Sequence, residues 1–450
     1  MHKTLPSEGR KPEEILAELK SFGVEDPDYR RSRVWSLVYY LDPQHEEFLA
    51  DAYQTYSSAN GLNPLAFKSL KRLEDEIVSI AAGLFHAPDG ACGMVTSGGT
   101  ESCLLAVKTY RDRARANGIR EPEMIIPASA HVAWRKGAEY FGLKLKMLPL
   151  AADLRADVSQ LEALVTPSTA MIVGSAPDYP HGTIDPIAEM AAIAERCGAP
   201  MHVDACVGGF ILPFMEMNGR DIPRWDYRVP GVTSISADLH KYGFAAKGAS
   251  TITYRRLADF KHQMFVAEDW PGGVFASPGL LGTRPGGSYA AAWSALQYFG
   301  VAGYRDLAAR TAKAVDQLSA GVAAIPGLRM LAKPQGPLIA YGADDPAIDI
   351  YSVADRMEER GWAINRLQRP DGLHGMVTAN HLEVVDDYLA DLRASVEIAR
   401  ARPELARQGS AAIYGMIAHA PAGDFVRGQV LDTFAGYYAT HPKRQAAGHP

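Results

Sequence analysis

The sequence predicts an α/β fold with a mainly parallel sheet, and three observations support this. Helical and strand patterns alternate from about residue 61 to about residue 325, which is typical of parallel strands joined by helices. Asp204 and Lys241 each follow a predicted strand, and ligands of such folds bind at the carboxyl ends of strands. With 47% hydrophobic and 22% charged residues, the 450-residue chain can bury a large core.

Three regions follow one another along the chain. Residues 1–60 form a predicted N-terminal arm with a short helix over 13–20, and the arm packs on the body or on a second subunit. Residues 61–325 form the large α/β domain. After Pro326 and Gly327 the pattern changes to short strands at 328–332, 338–341, 362–367 and 375–378 and helices at 350–360 and 382–400. This change predicts a smaller α+β domain over residues 326–450.

The first segment with chemical content is residues 94–102, Met-Val-Thr-Ser-Gly-Gly-Thr-Glu-Ser. Gly98 and Gly99 let backbone amides approach an anion closely, and the helix that follows adds a favourable dipole. No Gly-Lys-Ser/Thr follows, so this is not the loop of nucleoside-triphosphate enzymes. The segment is a candidate phosphate site, and an ordinary loop is the alternative.

The second segment is residues 185–206. Asp185 and Pro186 predict the start of a helix as N-cap and first helical residue, and Gly198 predicts its end. A short strand over 201–205 then brings Asp204 to its tip. A carboxylate there can hold a pyridine nitrogen protonated, which makes the ring an electron sink, or it can simply cap the next turn.

The third segment is residues 233–248, where a short strand delivers an Asp, a His and Lys241 onto a glycine-containing turn. Burial can lower the pKa of such a lysine, so that its amine attacks an aldehyde. Enzymes that use pyridoxal 5'-phosphate (PLP) need this lysine for their Schiff base. A surface turn is the alternative, but the order of phosphate turn, strand-tip Asp and strand-end Lys favours PLP.

The order and wording of these segments resemble the group II, fold-type I PLP enzymes, and specifically the sphingosine-1-phosphate lyase family. The likeness extends from about residue 30 to about residue 437 and includes residues 96–102, 180–186, 202–206, 231–243, 270–273, 282–287 and 412–416. The resemblance implies retro-aldol cleavage of a phosphorylated sphingoid base to a long-chain aldehyde and phosphoethanolamine. An amino-acid decarboxylase and a cofactor-free binding protein are the alternatives, and the presence of Lys241, Asp204 and His131 argues against the latter.

The resemblance also implies residue roles. Lys241 is expected to bind PLP covalently, Asp204 to pair with the ring nitrogen, and His131 to stack on the ring. The other expected cofactor contacts are Gly98, Gly99, Thr100, Cys206 and His240. Thr283 is at the position from which relatives reach the neighbouring subunit's phosphate, which implies a homodimer with shared active sites.

At the substrate end the resemblance implies roles for Lys247, Tyr39, Asn60, Asn63 and Tyr179. Lys247 is expected to bind the substrate phosphate by charge-assisted hydrogen bonds, where decarboxylases have an apolar residue, and Tyr179 is expected among the catalytic groups. Three departures make the substrate less certain than the cofactor. Asn63 replaces a phosphate-binding His, Phe275 replaces a Tyr, and Trp35 is expected to add bulk beside the site.

Composition and charge exclude several classes of function. A net charge of −6 gives no general attraction to nucleic acid. The four cysteines have neither zinc-site nor disulfide spacing, so we expect no metal and a reducing compartment. No signal sequence and no membrane span are predicted, in contrast to the anchored eukaryotic relatives, so a soluble cytoplasmic protein is expected.

Overall fold

A seven-stranded sheet forms the centre of the computed structural model, which describes residues 4–419 and 424–439. Its strands are β1 (Cys92–Thr96), β2 (Glu123–Pro127), β3 (Lys144–Leu148), β4 (Thr169–Ser175), β5 (Met201–Asp204), β6 (Val232–Ala237) and β7 (Ser250–Tyr254). The spatial order is β1-β7-β6-β5-β4-β2-β3. Only β7 runs against the others, pairing antiparallel with β1 and with β6. The predicted α/β fold with a mainly parallel sheet is therefore confirmed.

Helices accompany this sheet, and those that contact it pack on both of its faces. The helices are α1 (Pro12–Phe22), α2 (Pro43–Thr55), α3 (Lys68–Leu84), α4 (Gly99–Ala116), α5 (Ala133–Phe141), α6 (Leu161–Leu164), α7 (Ile187–Arg196), α8 (Leu212–Met217), α9 (Leu257–Phe260) and α10 (Gly286–Ala323). Along β2, Ile125 points into one core and Met124 and Ile126 into another, because successive strand residues face opposite ways. The predicted arm helix is present as α1.

The remaining elements form a hairpin and a second sheet. The hairpin pairs β8 (Phe265–Ala267) with β9 (Phe275–Ser277). The second sheet has the order β10-β11-β13-β12 and consists of β10 (Leu328–Met330), β11 (Leu338–Ala343), β12 (Asn365–Leu367) and β13 (Gly372–Met376). It packs with α11 (Ile350–Glu358) and α12 (Val385–Ala401), and α13 (Gly409–His419) and α14 (Asp424–Tyr437) follow. The predicted division at residues 60 and 325 stays a prediction.

Among the described residues, no helix combines the length and the apolar character that a membrane crossing requires.

The prediction that Trp35 adds bulk beside the active site is wrong. Trp35 is 1% exposed and lies in the core of the C-terminal sheet, with its ring centroid 4.2 Å from that of Tyr388 and 4.5 Å from that of His381. Gly375 makes the room, because a Cβ there would lie 2.5 Å from Trp35 Cε3. The aromatic ring therefore joins the arm to the C-terminal core.

The prediction that Asp185 caps a helix is also wrong. Helix α7 begins at Ile187, and the Asp185 carboxylate instead accepts hydrogen bonds from the backbone amides of Ala156 at 2.9 Å and Ser175 at 2.8 Å. Burial raises the pKa of Asp185 to about 7. The carboxylate therefore pairs with two buried backbone amides instead of capping the helix.

Candidate active site

A cavity of about 390 Å³ opens where β4, β5 and β6 end and α4 begins. Nine predicted site residues line it together: Gly98, Gly99, Thr100, His131, Tyr179, Asp204, Cys206, His240 and Lys241. The wall also contains residues that the sequence did not single out, among them Ser97, Glu101, Cys103, Ser175 and Asp238. The carboxyl ends of parallel strands thus gather the three motifs at one point, as this fold class requires.

Lys241 forms an ion pair that the sequence analysis missed. Its Nζ lies 3.0 Å from Oδ2 of Asp238, whose side chain is 2% exposed. Burial acts to lower the pKa of Lys241, but the charge and hydrogen bond of Asp238, with further contributions from Cys206 and Asp204, raise it on balance. The expected lowering of this pKa by desolvation is therefore wrong for the free amine. The spacing of three residues between Asp238 and Lys241 was the available signal.

One oxygen of Asp238 has no partner in the cavity. Its Oδ1 is buried and has no hydrogen-bond partner among the described residues, and such orphaned acceptors need an explanation. A Cβ on Gly99 would lie 2.7 and 2.8 Å from the two Asp238 oxygens and 2.9 Å from Cys206 Sγ. The absence of a side chain at residue 99 thus keeps the cavity open beside Lys241.

Asp204 is a buried carboxylate that hydrogen bonds hold in place. Its Oδ2 accepts a hydrogen bond from Trp134 Nε1 at 2.9 Å, and its Oδ1 accepts one from the Cys206 amide at 3.1 Å. Burial acts to raise the pKa of Asp204, but His131, Cys206 and Trp134 together lower it below its usual value. An ionised carboxylate in a dry pocket fits a protonated pyridine nitrogen.

His131 and Tyr179 meet edge to face in the wall of the cavity, with ring centroids 6.0 Å apart. His131 Nδ1 accepts a hydrogen bond from the Ala133 amide at 3.2 Å, which places the proton of the neutral ring on Nε2. Desolvation lowers the pKa of His131 and raises that of Tyr179. Both rings are therefore neutral near pH 7, and both present a proton that they can donate.

The start of α4 and His240 form the opposite end of the cavity. Glu101 accepts hydrogen bonds from the amides of Ser97 at 2.7 Å and Leu280 at 3.0 Å, which fixes the glycine turn. His240 lies against Gly98, with Cε1 3.4 Å from where a Cβ would be. Its Nδ1 accepts a hydrogen bond from the Ala249 amide at 3.2 Å, and desolvation lowers its pKa. Backbone amides at a helix N-terminus suit a phosphate.

Lys247 lies near the cavity and contacts Tyr39. Its Nζ is 4.9 Å from the centroid of the Tyr39 ring and donates a hydrogen bond to the His240 carbonyl at 3.2 Å. Although Lys247 is exposed in the single chain, desolvation by the surrounding protein and the charge of Lys241 lower its pKa to about 8. The Tyr39 hydroxyl contacts Met376 Sδ at 3.2 Å.

Five predicted residues do not line the cavity of their own chain: Tyr39 and Lys247, which line a neighbouring depression, and Asn60, Asn63 and Thr283. Asn60 Nδ2 donates a hydrogen bond to Thr283 Oγ1 at 3.3 Å on the surface, and Asn63 Oδ1 accepts one from the Leu65 amide at 2.9 Å. Thr283 and Asn63 are exposed. Phe275 also lies elsewhere, in β9 against Trp270 with ring centroids 6.1 Å apart.

Comparison with known proteins identifies the class first. The pyridoxal-dependent decarboxylase conserved domain matches residues 47–343. Glutamate decarboxylase of Lactobacillus brevis shares the fold, with a TM-score of 0.78 at 24% identity over 88% of this chain and 95% of that one. The fold and the pocket around Lys241 and Asp204 therefore define a PLP-dependent enzyme of fold type I.

More similar proteins identify the family. Rat sphingosine-1-phosphate lyase 1 is 42% identical over 417 residues, which are 92% of this chain and 73% of the relative. The structure of sphingosine-1-phosphate lyase Bpss2021 from Burkholderia pseudomallei K96243 has a TM-score of 0.86 at 41% identity and covers 93% of this chain and 98% of that one. The chain belongs to the sphingosine-1-phosphate lyase family and is a PLP-dependent lyase.

Proposed function

We propose that this enzyme cleaves a phosphorylated sphingoid base, such as sphingosine-1-phosphate, by a retro-aldol reaction. The products are a long-chain aldehyde and phosphoethanolamine. The observation that supports this best is the second cation, Lys247, which lies near Lys241 and contacts Tyr39. A phosphate group on the substrate gives this cation a partner with more charge and more acceptor oxygens than the carboxylate of an amino acid.

PLP, when bound, withdraws electrons from the Cα–Cβ bond of an attached amine, and this chain's residues hold it for that purpose. Lys241 binds its aldehyde carbon, and the Asp204 carboxylate pairs with its ring nitrogen. Trp134 and the Cys206 amide keep Asp204 in place through hydrogen bonds of 2.9 and 3.1 Å. The glycine turn with Gly98, Gly99 and Thr100, together with His240, binds its phosphate.

Proton transfer is assigned to Lys241 in our proposal. Its amine, once free, keeps the proton on Nζ because Asp238 lies 3.0 Å away and raises its pKa. We therefore assign Nζ as the donor that protonates Cα of the departing amine product, and the phosphate dianion of the substrate as the group that takes up the proton of the β-hydroxyl. His131 holds its proton on Nε2, so it orients the ring rather than accepting the proton of the β-hydroxyl.

Lys247 and Tyr39 are proposed to bind the substrate phosphate. A pKa of about 8 for Lys247 in the free enzyme leaves most of the ammonium charged at pH 7. A bound phosphate dianion favours the charged form further, since an opposite charge stabilises it. Asn63 is a donor without charge where the family has a His, which makes the positive charge of Lys247 more important here.

We also propose that two chains form a homodimer with shared active sites. Thr283 and Asn60 form a hydrogen-bonded surface pair outside their own cavity. The nearby β8–β9 hairpin exposes large apolar side chains, with Phe265 58% and Val274 79% exposed. Exposed apolar clusters of this kind are typical of interfaces. The pair is thus suited to complete the pocket of a second copy.

Mixed dimers test this sharing. Lys241→Ala and Thr283→Ala subunits are each expected to be impaired as homodimers. In a mixed dimer, one pocket combines an intact Lys241 with an intact Thr283, so mixing the two variants should restore activity. A mixed dimer that is confirmed by mass and stays inactive would contradict the proposal, as would a monomeric wild type.

The four free thiols at Cys92, Cys103, Cys197 and Cys206 support a reducing, cytoplasmic location, which we propose as the site of action.

Product analysis tests the reaction. Wild-type enzyme incubated with PLP and sphingosine-1-phosphate should release a long-chain aldehyde and phosphoethanolamine in equal amounts, and Lys241→Ala should release neither. Release of carbon dioxide from an amino acid, with no aldehyde from the phosphorylated base, would instead support the decarboxylase alternative. Unphosphorylated sphingosine is the matched control, and equal turnover of both compounds would exclude a phosphate-binding role for Lys247.

A further inference from the structure

Two thiols and a carboxylate meet at the inner end of the cavity. Cys103 lies on α4, Cys206 follows β5, and Asp204 ends β5. Their ligand atoms all lie within 4.8 Å of one another, and Cys103 Sγ is 3.9 Å from Asp204 Oδ2. All three residues are buried, with exposures of 1, 7 and 6%. The sequence did not indicate this group, because the two cysteines are far apart along the chain and have no zinc-site spacing.

The same group is open to a small ion through the cavity. All three side chains line its wall, so an ion has a path to them without unfolding. The unpartnered Asp238 Oδ1 is at the same place, since it and Cys206 Sγ lie 2.8 and 2.9 Å from the position of a Cβ at residue 99. Trp134 holds Asp204 through its indole N–H, as outer-shell donors do for metal-binding carboxylates.

We propose that Cys103, Cys206 and Asp204 bind one thiophilic divalent cation, such as Zn²⁺ or Cd²⁺, when the enzyme has no cofactor. Two sulfur ligands, one oxygen ligand and a water molecule make a four-coordinate set that suits Zn²⁺. Binding excludes PLP, because Asp204 cannot pair with both a metal ion and the pyridine nitrogen. This second statement depends on the proposed role of Asp204, whereas the binding of the ion does not.

Binding of the ion displaces the proton of each thiol. A free cysteine has a pKa of about 8.5 and is mainly protonated at pH 7, and a thiol that coordinates a metal ion is deprotonated. Each ion that binds through both sulfur atoms thus releases two protons to the solvent.

Cadmium titration of the full-length enzyme tests the proposal, after PLP has been removed with a carbonyl reagent. We expect one Cd²⁺ per chain, an ultraviolet thiolate-to-metal charge-transfer band, and two protons released per ion in weakly buffered solution. Cys103→Ser should weaken binding by about tenfold or more, the loss that follows damage to a metal site. Cys197→Ser, which changes an exposed thiol, is the matched control and should bind as the wild type does.

Two outcomes overturn the cation site: a Cd²⁺ band that Cys103→Ser leaves unchanged, or no band in wild-type enzyme whose circular dichroism shows it is folded. The competition between Cd²⁺ and PLP is tested separately. Cd²⁺ added to the holoenzyme should give no band. Cofactor-free enzyme that is first incubated with Cd²⁺ should take up PLP more slowly than enzyme without the metal. A full band in the holoenzyme would refute the exclusion of PLP while leaving the cation site intact.

Discussion

Replacing Asp238 with Asn should lower the pKa of Lys241, so that its amine becomes a nucleophile at a lower pH. The change removes a charge that lies 3.0 Å from Lys241 Nζ and is almost fully buried, while the side-chain volume stays the same. A hydrogen bond to a charged group contributes about 1.5–3 kcal/mol, and one pKa unit corresponds to about 1.36 kcal/mol. The expected shift is therefore about one to two units downward.

The assay is the rate at which cofactor-free enzyme takes up PLP, followed by the absorbance of the lysine-bound cofactor across a range of pH. Only the neutral amine attacks an aldehyde, so the rate rises with pH until the amine has lost its proton. Because Asp238 raises the pKa of Lys241, the wild-type rate should still rise above pH 9. The Asp238→Asn profile should level off at a lower pH.

The matched control is Asp316→Asn, which removes a carboxylate from an exposed ion pair with Arg220. Its uptake profile should coincide with that of the wild type. If Asp238→Asn also follows the wild-type profile, or shifts to higher pH, then the ion pair does not set the pKa of Lys241. The proposed donation of a proton from Nζ to Cα would fail with it.

Three further substitutions test separate parts of the site. Lys247→Ala should lower kcat/KM for the phosphorylated base by a factor that corresponds to about 1.5–3 kcal/mol. Lys144→Ala, at the exposed start of β3, should leave kcat/KM unchanged. Gly99→Ala should weaken PLP binding by about 1–3 kcal/mol through overpacking, whereas Gly83→Ala, where a Cβ meets nothing within 4 Å, should not. Trp35→Ala should lower the free energy of unfolding by about 3–5 kcal/mol, while the absorbance of bound PLP is retained. Loss of this absorbance at unchanged stability would contradict the position of Trp35 in the C-terminal core.

The sequence predicted the fold and most of the pocket because both follow from local signals. Alternating patterns predicted the sheet, and the carboxyl ends of its strands gather Asp204 and Lys241 wherever the intervening helices run. The glycine turn before α4 was recognisable because a phosphate needs backbone amides that no side chain blocks. These inferences needed no knowledge of distant contacts.

The wrong and missed predictions depend on contacts between distant segments. The pKa of Lys241 depends on the distance from Nζ to Asp238, which sequence spacing suggests but does not fix. Asp185 binds an amide from a loop near residue 156 that no local pattern connects to it. Trp35 was expected beside the site because it departs from the family's sequence there, yet its ring occupies the space left by Gly375.

The position of Trp35 has a practical consequence for anyone who shortens or tags this chain. Its amide donates a hydrogen bond to the Ala363 carbonyl at 3.2 Å, and its carbonyl accepts one from Met376 at 2.8 Å. Cutting after residue 40 would thus open a hole in the C-terminal core and remove Tyr39 in one step. Helix α1 buries no residue in the single chain, so affinity tags and fusion partners placed ahead of it leave the core of that chain intact.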